Sequence, residues 1–318
     1  MRYFDVFNGD ADGICALHQL RLAEPLDAEL VTGVKRDIGL LQRVRAGDGD
    51  RVTVLDVSLE RNRAALLALL KHGVRVRYFD HHAAGEVPSH PGLEPHIDES
   101  AGVCTSILVD RYLEGRFRAW AVVGAFGDGM PEAALRLASG LRLEAEPLAA
   151  LRELGENLNY NAYGDSEADL LVPPADLYRL VSRFTDPFRL LEAEPLLQRL
   201  GEERRADLGR AQVLAPRRAS EHAEAFVLPD APWARRVSGS FANRLAAADP
   251  ARAHAVLTPN MRGGYSVSVR AASGGEFSAA DLCRSFGGGG RREAGGIDHL
   301  ERVRAEELLV SLEEQLLR

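Results

Sequence analysis

Acidic and histidine residues follow four short apolar runs in the first 130 residues of the chain. In chain order they are Asp10, Asp12, Asp56, Asp80, His81, His82 and Asp128. Mixed sets of carboxylates and imidazoles are typical ligands of Mn²⁺ or Mg²⁺, and packed carboxylates repel one another unless cations neutralise them. Two such ions about 3.5–4 Å apart, bridged by an aspartate, are the usual device for phosphoryl hydrolysis. The residue types therefore indicate metal-dependent phosphoryl chemistry if the fold brings them together.

Each group alone also has an ordinary structural explanation. The segment Asp10–Gly13 is typical of a turn, and its spacing matches the start of a calcium loop, although position 12 of that loop would be Gln19 instead of Glu. Asp56 follows an apolar run and is a candidate helix N-cap, in competition with Ser58. The metal hypothesis therefore depends on the ordered set and not on any single motif.

The elements that must position these groups alternate between strand and helix. Strands are predicted at residues 3–7, 29–33, 51–55, 74–79 and 120–126, and helices at residues 14–21 and 59–72. Strand–helix–strand order predicts an α/β fold with a parallel sheet, and such sheets bind ligands at the carboxyl ends of their strands. Four predicted strands thus deliver acid or imidazole groups to one edge.

The remaining chain predicts a second domain. Residues 133–218 are rich in Leu, Ala, Glu and Arg, a composition that favours helices. The polar stretch 214–224, which contains Pro216, indicates a linker. Strand-like runs at 255–257 and 265–270 precede a glycine cluster and a final amphipathic helix at 304–317. We predict an N-terminal catalytic domain at 1–195, a helical linker at 196–224, and a smaller C-terminal α/β domain at 225–318, with the active site in the cleft between them.

Composition narrows the classes of function. The 318 residues carry 39 Lys and Arg against 47 Asp and Glu, a formal net charge of −8 that disfavours long duplex DNA as a partner. No apolar run approaches about 18 residues, so neither a membrane span nor a membrane partner is expected. Three widely spaced cysteines (Cys15, Cys104 and Cys283) predict free thiols in a reducing cytoplasm instead of disulfides or a zinc site.

The ordered motifs resemble those of a known family. Asn8-Gly9-Asp10-Ala11-Asp12-Gly13, Leu55-Asp56, Asp80-His81-His82 and Gly127-Asp128-Gly129 are similar to the four motifs of the DHH phosphoesterase superfamily. Residues 266–270, 286–290 and 294–295 resemble its C-terminal associated domain, in the branch of RecJ-type exonucleases, nano-RNases and dinucleotide phosphodiesterases. The resemblance covers nearly the whole chain.

This resemblance implies a role for each matching residue. Asp10, with Asn8 nearby, would bind a first ion, and Asp56 would bridge to a second ion. The ligands of that second ion would be Asp12, His81 and Asp128, and the catalytic group would be Asp56, His81 and His82, with His82 touching the substrate or its leaving group. Two Mn²⁺ ions are expected, with Mg²⁺ as the alternative.

A separate set is expected to bind the substrate. Arg270 offers a bidentate fork to phosphate, and consecutive glycines let backbone N–H groups approach an anion. The substrate-binding prediction comprises His82, Arg270, Gly287, Gly288, Gly289, Gly290 and Arg291. A flexible link is the alternative interpretation of the glycine run.

Two departures from the family pattern stand out. Many members carry a metal-binding histidine where this chain has Val6 or Asn8, and another histidine where it has Gly290. A further segment, 157–164, is dense in Asn and Tyr. It predicts a polar loop between helices with its tyrosines on the core, and the alternative is a surface that stacks a base.

These observations support three hypotheses. The first is a cytoplasmic enzyme that hydrolyses phosphodiester bonds of short single-stranded oligonucleotides or dinucleotides by metal-activated water, with a homodimer left open. The second is a nucleotide phosphatase or pyrophosphatase, although Ser268, Arg270 and the glycine run argue against a pyrophosphatase. The third is a nucleotide-binding regulator with decayed catalysis, which the departures motivate and the retained acid cluster opposes.

Overall fold

The computed structural model describes residues 1–316, and the chain divides into two compact units, Met1–Gly201 and Glu202–Arg318. The α/β fold class is confirmed, since each unit contains a sheet with helices. The predicted domain boundaries and the placement of the active site between the domains stay predictions.

The described part of the first unit contains a five-stranded parallel sheet with the strand order β2-β1-β3-β4-β5. Phe7 pairs with Leu55, and Leu55 pairs with Phe79, so the residues that follow β1, β3 and β4 leave the sheet at one edge. The strands are β1 (Tyr3–Phe7), β2 (Glu29–Val31), β3 (Arg51–Leu55), β4 (Arg75–Asp80) and β5 (Leu93–Ile97).

Helices cover both faces of this sheet. Leucines of α2 pack with Val52, Val54, Val76 and Tyr78 on one face, while α1, α3, α4 and α6 form a second core with Phe7, Leu55 and Phe79 on the other. The helices of this unit are α1 (Ala11–Ala23), α2 (Leu59–Lys71), α3 (Thr105–Tyr112), α4 (Arg118–Gly127), α5 (Pro131–Ser139), α6 (Ala145–Ala162), α7 (Pro174–Val181) and α8 (Pro187–Ala193). Helix α9 (Pro195–Gln212) begins in this unit and continues past Gly201 into the second unit.

Two predictions of secondary structure are wrong. The apolar run 120–126 is helix α4, not a strand; it packs against α1, α3, α5 and α6 and is buried on every side. A helix buried all round lacks amphipathic periodicity, so its short apolar sequence cannot be told from a buried strand. The Asn- and Tyr-rich segment is not a loop either, because α6 continues through it to Ala162.

The described part of the second unit contains a six-stranded sheet in the order β10-β11-β9-β8-β7-β6, parallel between β7 and β8 and otherwise antiparallel. The two strands that come first in the chain, β6 and β7, begin inside the segment 196–224 that was predicted as a linker. Leu317 of the predicted last helix lies outside the described residues. The strands are β6 (Arg218–Ala219), β7 (Ala223–Val227), β8 (Ala253–Pro259), β9 (Tyr265–Arg270), β10 (Gly289–Arg291) and β11 (Ala294–Leu300). The helices are α10 (Pro232–Ala248), α11 (Ala279–Ser285) and α12 (Ala305–Leu316).

Two further observations concern membranes and thiols. Among residues 1–316, every helix is too short or too polar to cross a bilayer. Cys15, Cys104 and Cys283 are all buried and carry free thiols.

Candidate metal centre

The carboxyl edge of the first sheet gathers the predicted metal ligands. Asn8, Asp10 and Asp12 follow β1, Asp56 follows β3, and His81 and His82 follow β4. Asp128 reaches the same place from the C-terminus of α4, so it is positioned by a helix and not by a strand as the sequence indicated.

The turn from β1 into α1 fixes the first two aspartates. Asp10 caps α1, since its Oδ1 accepts a hydrogen bond from the Gly13 amide at 3.0 Å. A Cβ on Gly13 would lie 2.1 Å from the carbonyl oxygen of Asn8, so only glycine fits there. Asp12 is held by the start of α3, where the amides of Thr105 and Ser106 donate to its two oxygens at 2.7 and 2.8 Å.

Asp56 has an unusual backbone conformation. Its φ of 58° lies in the left-handed region, which residues other than glycine rarely adopt. The Phe79 carbonyl accepts its amide hydrogen at 3.0 Å, and Thr105 Oγ1 donates to its Oδ1 at 3.3 Å. Strained backbone that surrounding contacts hold in place is typical of functional sites.

Asp80 orients both histidines. It is fully buried, and its Oδ1 accepts hydrogen bonds from the amides of His81 and His82 at 2.9 and 3.3 Å and faces His82 Nδ1 at 2.7 Å. Its Oδ2 accepts from the Leu59 amide at 3.2 Å. Asp80 was part of the sequence motif, but no role was predicted for it; the structure makes it a positioning residue.

His81 lies at the centre of the cluster. Its Nε2 is 3.4 Å from Asp56 Oδ1, 3.8 Å from Asp128 Oδ2 and 4.0 Å from Asp12 Oδ2. Donor atoms that share an ion at about 2.1 Å lie about 3.0 to 4.2 Å apart. The donor atoms of Asp12, His81 and Asp128, and separately those of Asp56, His81 and His82, lie within 4.8 Å of one another. Their chemistry and spacing fit Mn²⁺ or Mg²⁺.

The charges of the cluster also favour a cation. Burial, followed by repulsion from Asp10, Asp12 and Asp128, raises the pKa of Asp56 well above its usual range. Burial likewise raises the pKa of Asp128. A divalent ion would reverse both effects, because it stabilises the ionised carboxylates.

Lys35 belongs to the cluster, and sequence reasoning missed it. Its Nζ forms an ion pair with Asp10 and lies 3.3 Å from Asp128 Oδ1 and 3.3 Å from Asn159 Oδ1. Burial opposes its charge, but attraction to Asp10, among other groups, outweighs burial and raises the pKa of Lys35 well above its usual value. A signal was available, since Lys35 follows β2, which ends at the same edge as β1, β3 and β4.

Asn8 and the helix α6 frame this lysine. Asn8 Oδ1 accepts from the Asp10 amide at 3.3 Å, and its Nδ2 donates to the Lys35 carbonyl at 3.3 Å. Within the Asn- and Tyr-rich segment, Asn159 contacts Lys35 whereas Tyr160 is buried in the core. The segment thus contributes to both the site and the packing.

Apart from His82, which follows β4 in the first unit, the predicted substrate-binding residues lie in the second unit. Ala294 of β11 pairs with Arg270 on one side and with Arg291 on the other, so the two arginines lie in one row across the sheet. Arg270 Nε donates to Asn243 Oδ1 at 2.7 Å. The run Gly287–Gly290 leads from α11 into β10, which shows it to be an ordered turn and strand instead of a flexible link.

Known structures share this architecture. Exonuclease RecJ bound to manganese aligns with a TM-score of 0.66 at 20% identity, covering 100% of this chain and 90% of that one. RecJ from Thermus thermophilus in complex with Mn²⁺ aligns at 0.64 and 20% identity, over 99% and 51% of the two chains. The pGpG-specific phosphodiesterase PggH from Vibrio cholerae aligns at 0.53 and 12% identity, over 100% and 99%. The chain has the fold of these RecJ and PggH structures.

No family model and no curated protein matches the chain. The structure explains why the chain departs from the DHH motif pattern that its sequence resembles. Val6 is fully buried in the core under α2. Gly290 has a φ of 137°, and a Cβ there would lie 2.3 Å from the carbonyl oxygen of Ala294, so a histidine cannot replace it without moving the β10–β11 hairpin.

Proposed function

We propose that the protein is a divalent-metal-dependent phosphoesterase that hydrolyses phosphodiester bonds of short single-stranded oligonucleotides or dinucleotides. The observation that carries this proposal is the convergence of Asp12, Asp56, His81 and Asp128 at one edge of the sheet, with donor spacings that suit an ion. The DHH fold supports the same class, since its solved neighbours include an exonuclease and a pGpG-specific phosphodiesterase.

Different residues of the chain would bind the ion and act on the leaving group. Asp12, Asp56, His81 and Asp128 would hold the ion, which supplies an activated water and neutralises charge on the phosphoryl group. His82 Nδ1 faces Asp80, so its Nε2 is the ring nitrogen left for the substrate. Burial opposes the charge of His82, but its hydrogen bond to Asp80 and the charge of that carboxylate outweigh burial and raise its pKa. The protonated ring can therefore donate to a leaving-group oxygen.

The second unit would bind the rest of the substrate. Arg270 and Arg291 lie two strands apart, about 10 Å at the usual strand spacing. Two guanidinium groups in one row suit a small ligand with more than one phosphate. The net charge of −8 favours short substrates over long polyanions.

A substrate panel tests the proposal. The protein with Mn²⁺ is incubated with a 5′-phosphorylated dinucleotide, a longer single strand, a mononucleotide or pyrophosphate. We expect fastest turnover of the dinucleotide, loss of turnover with a chelator, and loss in Asp56→Asn. The matched control is Asp98→Asn, which alters the partly exposed aspartate that follows the neighbouring strand β5. Turnover of pyrophosphate alone would contradict the proposed substrate class.

A variant pair tests the substrate side. Arg270→Ala is expected to raise KM for the dinucleotide with little change in kcat. Arg284→Ala is the control, because Arg284 is an exposed arginine of the same unit that pairs with Asp281. Equal KM values in the two variants would remove Arg270 from the binding site.

One observation favours a second candidate, a nucleotide-binding regulator with weakened catalysis. Lys35 pairs with Asp10, a residue predicted to bind an ion. Tight binding of the dinucleotide without turnover of any compound in the panel would support the regulator and exclude the enzyme.

A further inference from the structure

The acid cluster contains a cation of its own. The ammonium of Lys35 pairs with Asp10 Oδ2 and lies 3.3 Å from both Asp128 Oδ1 and Asn159 Oδ1. A lysine ammonium has three N–H donors, and here three oxygens surround it. The ring of Tyr163 lies 5.7 Å away and adds a cation–π contact.

The backbone anchors Lys35 in this position. Its amide donates to the Ala162 carbonyl at 2.9 Å, and its carbonyl accepts from Asn8 Nδ2 at 3.3 Å. The side chain is 24% exposed. Because hydrogen bonds hold both its backbone and its ammonium group, Lys35 has a fixed position in the centre, unlike a mobile side chain on the surface.

Composition makes this placement unusual. The 39 basic residues comprise 37 arginines and two lysines, Lys35 and Lys71. A lysine presents a compact point charge, whereas arginine presents a planar fork. The cluster therefore contains the residue type that comes closest to a small ion in size.

The two residues predicted to bind a first metal ion are already engaged by the protein. Asp10 uses Oδ1 to cap α1 and Oδ2 to pair with Lys35. Both polar atoms of the Asn8 side chain are hydrogen-bonded to backbone groups. A divalent ion on Asp10 would lie against the ammonium, and like charges at that distance repel strongly in a buried site.

The remaining ligands surround a different point. His81 Nε2 lies 3.4 to 4.0 Å from carboxylate oxygens of Asp12, Asp56 and Asp128. The donor atoms of Asp12, His81 and Asp128 lie within 4.8 Å of one another, and Asp56 Oδ1 lies 3.4 Å from the same His81 nitrogen. Neither Asn8 nor Asp10 takes part in these contacts, so the donors around His81 fit one ion, in contrast to the two ions that the sequence resemblance implies.

We infer that Lys35 replaces one of the two cations, so that the centre binds a single divalent ion through Asp12, Asp56, His81 and Asp128 beside a permanent ammonium. This inference rests on the proposed function only in requiring that a divalent ion binds. The ammonium neutralises Asp10 and one oxygen of Asp128 and leaves the other oxygen of Asp128 for the ion.

Counting bound Mn²⁺ tests the inference without any substrate. Titration calorimetry with Mn²⁺ alone is expected to give one ion per chain, and electron paramagnetic resonance to give the spectrum of an isolated Mn²⁺. Lys35→Ala is expected to bind a second ion at millimolar Mn²⁺, with the broadened spectrum of an exchange-coupled pair. Lys71→Ala, which removes the exposed lysine at the end of α2, should still bind one.

Thermal unfolding provides a readout that does not depend on the count. Lys35→Ala leaves Asp10 buried without its counter-ion, so its melting temperature should fall without metal and rise more on adding Mn²⁺ than that of the parent protein. Lys35→Gln keeps a hydrogen-bond donor without the charge, and it replaces Lys35→Ala in both measurements if the alanine variant fails to fold.

The outcomes separate the two proposals. Two ions in the parent protein, or one ion in both Lys35 variants, would overturn the role of Lys35 and leave the metal centre standing. No bound ion in the parent protein would overturn the metal centre and this inference together. One ion in the parent protein and two in a folded Lys35 variant would support both.

Discussion

Asp80 offers the sharpest test of how the fold orients the metal ligands. Replacing it with alanine removes a fully buried carboxylate that accepts from the amides of Leu59, His81 and His82 and faces the His82 ring. Residues that orient metal ligands typically contribute 10–100-fold to metal affinity. We therefore expect Asp80→Ala to weaken Mn²⁺ binding by about 10–100-fold, which corresponds to about 1.4–2.7 kcal/mol.

Asp80→Asn separates orientation from stability. Its carbonyl oxygen can keep the three contacts of Oδ1 to the histidines, while its NH₂ group faces the Leu59 amide, donor against donor. Because Leu59 is fully buried, that amide loses its partner at a cost of about 1–3 kcal/mol. The asparagine variant should lose stability in urea but keep Mn²⁺ affinity within about threefold of the parent protein, well inside the tenfold change typical of a lost orienting residue.

Titration calorimetry with Mn²⁺ and urea unfolding measure the two effects. Asp98→Ala is the matched control, because Asp98 follows the neighbouring strand β5 and pairs with Arg111 instead of the histidines. A folded Asp80→Ala protein with parental Mn²⁺ affinity would refute the orienting role. Equal loss of affinity in the asparagine and alanine variants would show that charge, and not geometry, is what Asp80 contributes.

Three further changes probe the scaffold. Asp5→Ala leaves Arg21, whose side chain is 9% exposed, without its ion-pair partner and should lower the free energy of unfolding by about 3–5 kcal/mol. A urea unfolding curve that matches that of the parent protein would contradict this. Burial lowers the pKa of His18 to about 4, so the unfolded chain binds more protons than the folded chain between about pH 6.5 and 4. The free energy of unfolding should therefore fall by about 3 kcal/mol as pH falls through that range. His18→Gln should remove this pH dependence, and an unchanged dependence of stability on pH would exclude His18 as its source. A Cβ on Gly127 would lie 2.2 Å from the Cβ of Ala11. Gly127→Ala should therefore lower the free energy of unfolding by about 1–3 kcal/mol and weaken Mn²⁺ binding by displacing α1. Unchanged Mn²⁺ affinity in calorimetry would contradict the effect of α1 on the metal ligands.

The sequence predicted the first sheet well, and the reason is local. The strands at residues 3–7 and 51–55 match the structure because short β-type runs are bounded by polar turns. Parallel pairing then places the ends of β1, β3 and β4 at one edge, so Asp10, Asp56 and His81 can be grouped from the strand pattern alone.

Other parts of the site depend on packing that sequence patterns do not contain. Asp128 was expected after a strand, but the apolar run before it is a helix enclosed by other helices. Lys35 lies four residues beyond β2, and it enters the cluster because hydrogen bonds from Asn8 and to Ala162 turn its backbone toward Asp10. Its position after β2 indicates the correct edge of the sheet, but nothing in the local sequence around Lys35 specifies those distant partners.

The position of the bound metal ion is the most direct test of the proposed centre. Anomalous diffraction from a Mn²⁺-soaked crystal measures this directly. We expect a peak enclosed by Asp12, Asp56, His81 and Asp128, with Lys35 still paired to Asp10. A peak elsewhere in the chain, or none at millimolar Mn²⁺, would contradict the proposed metal centre.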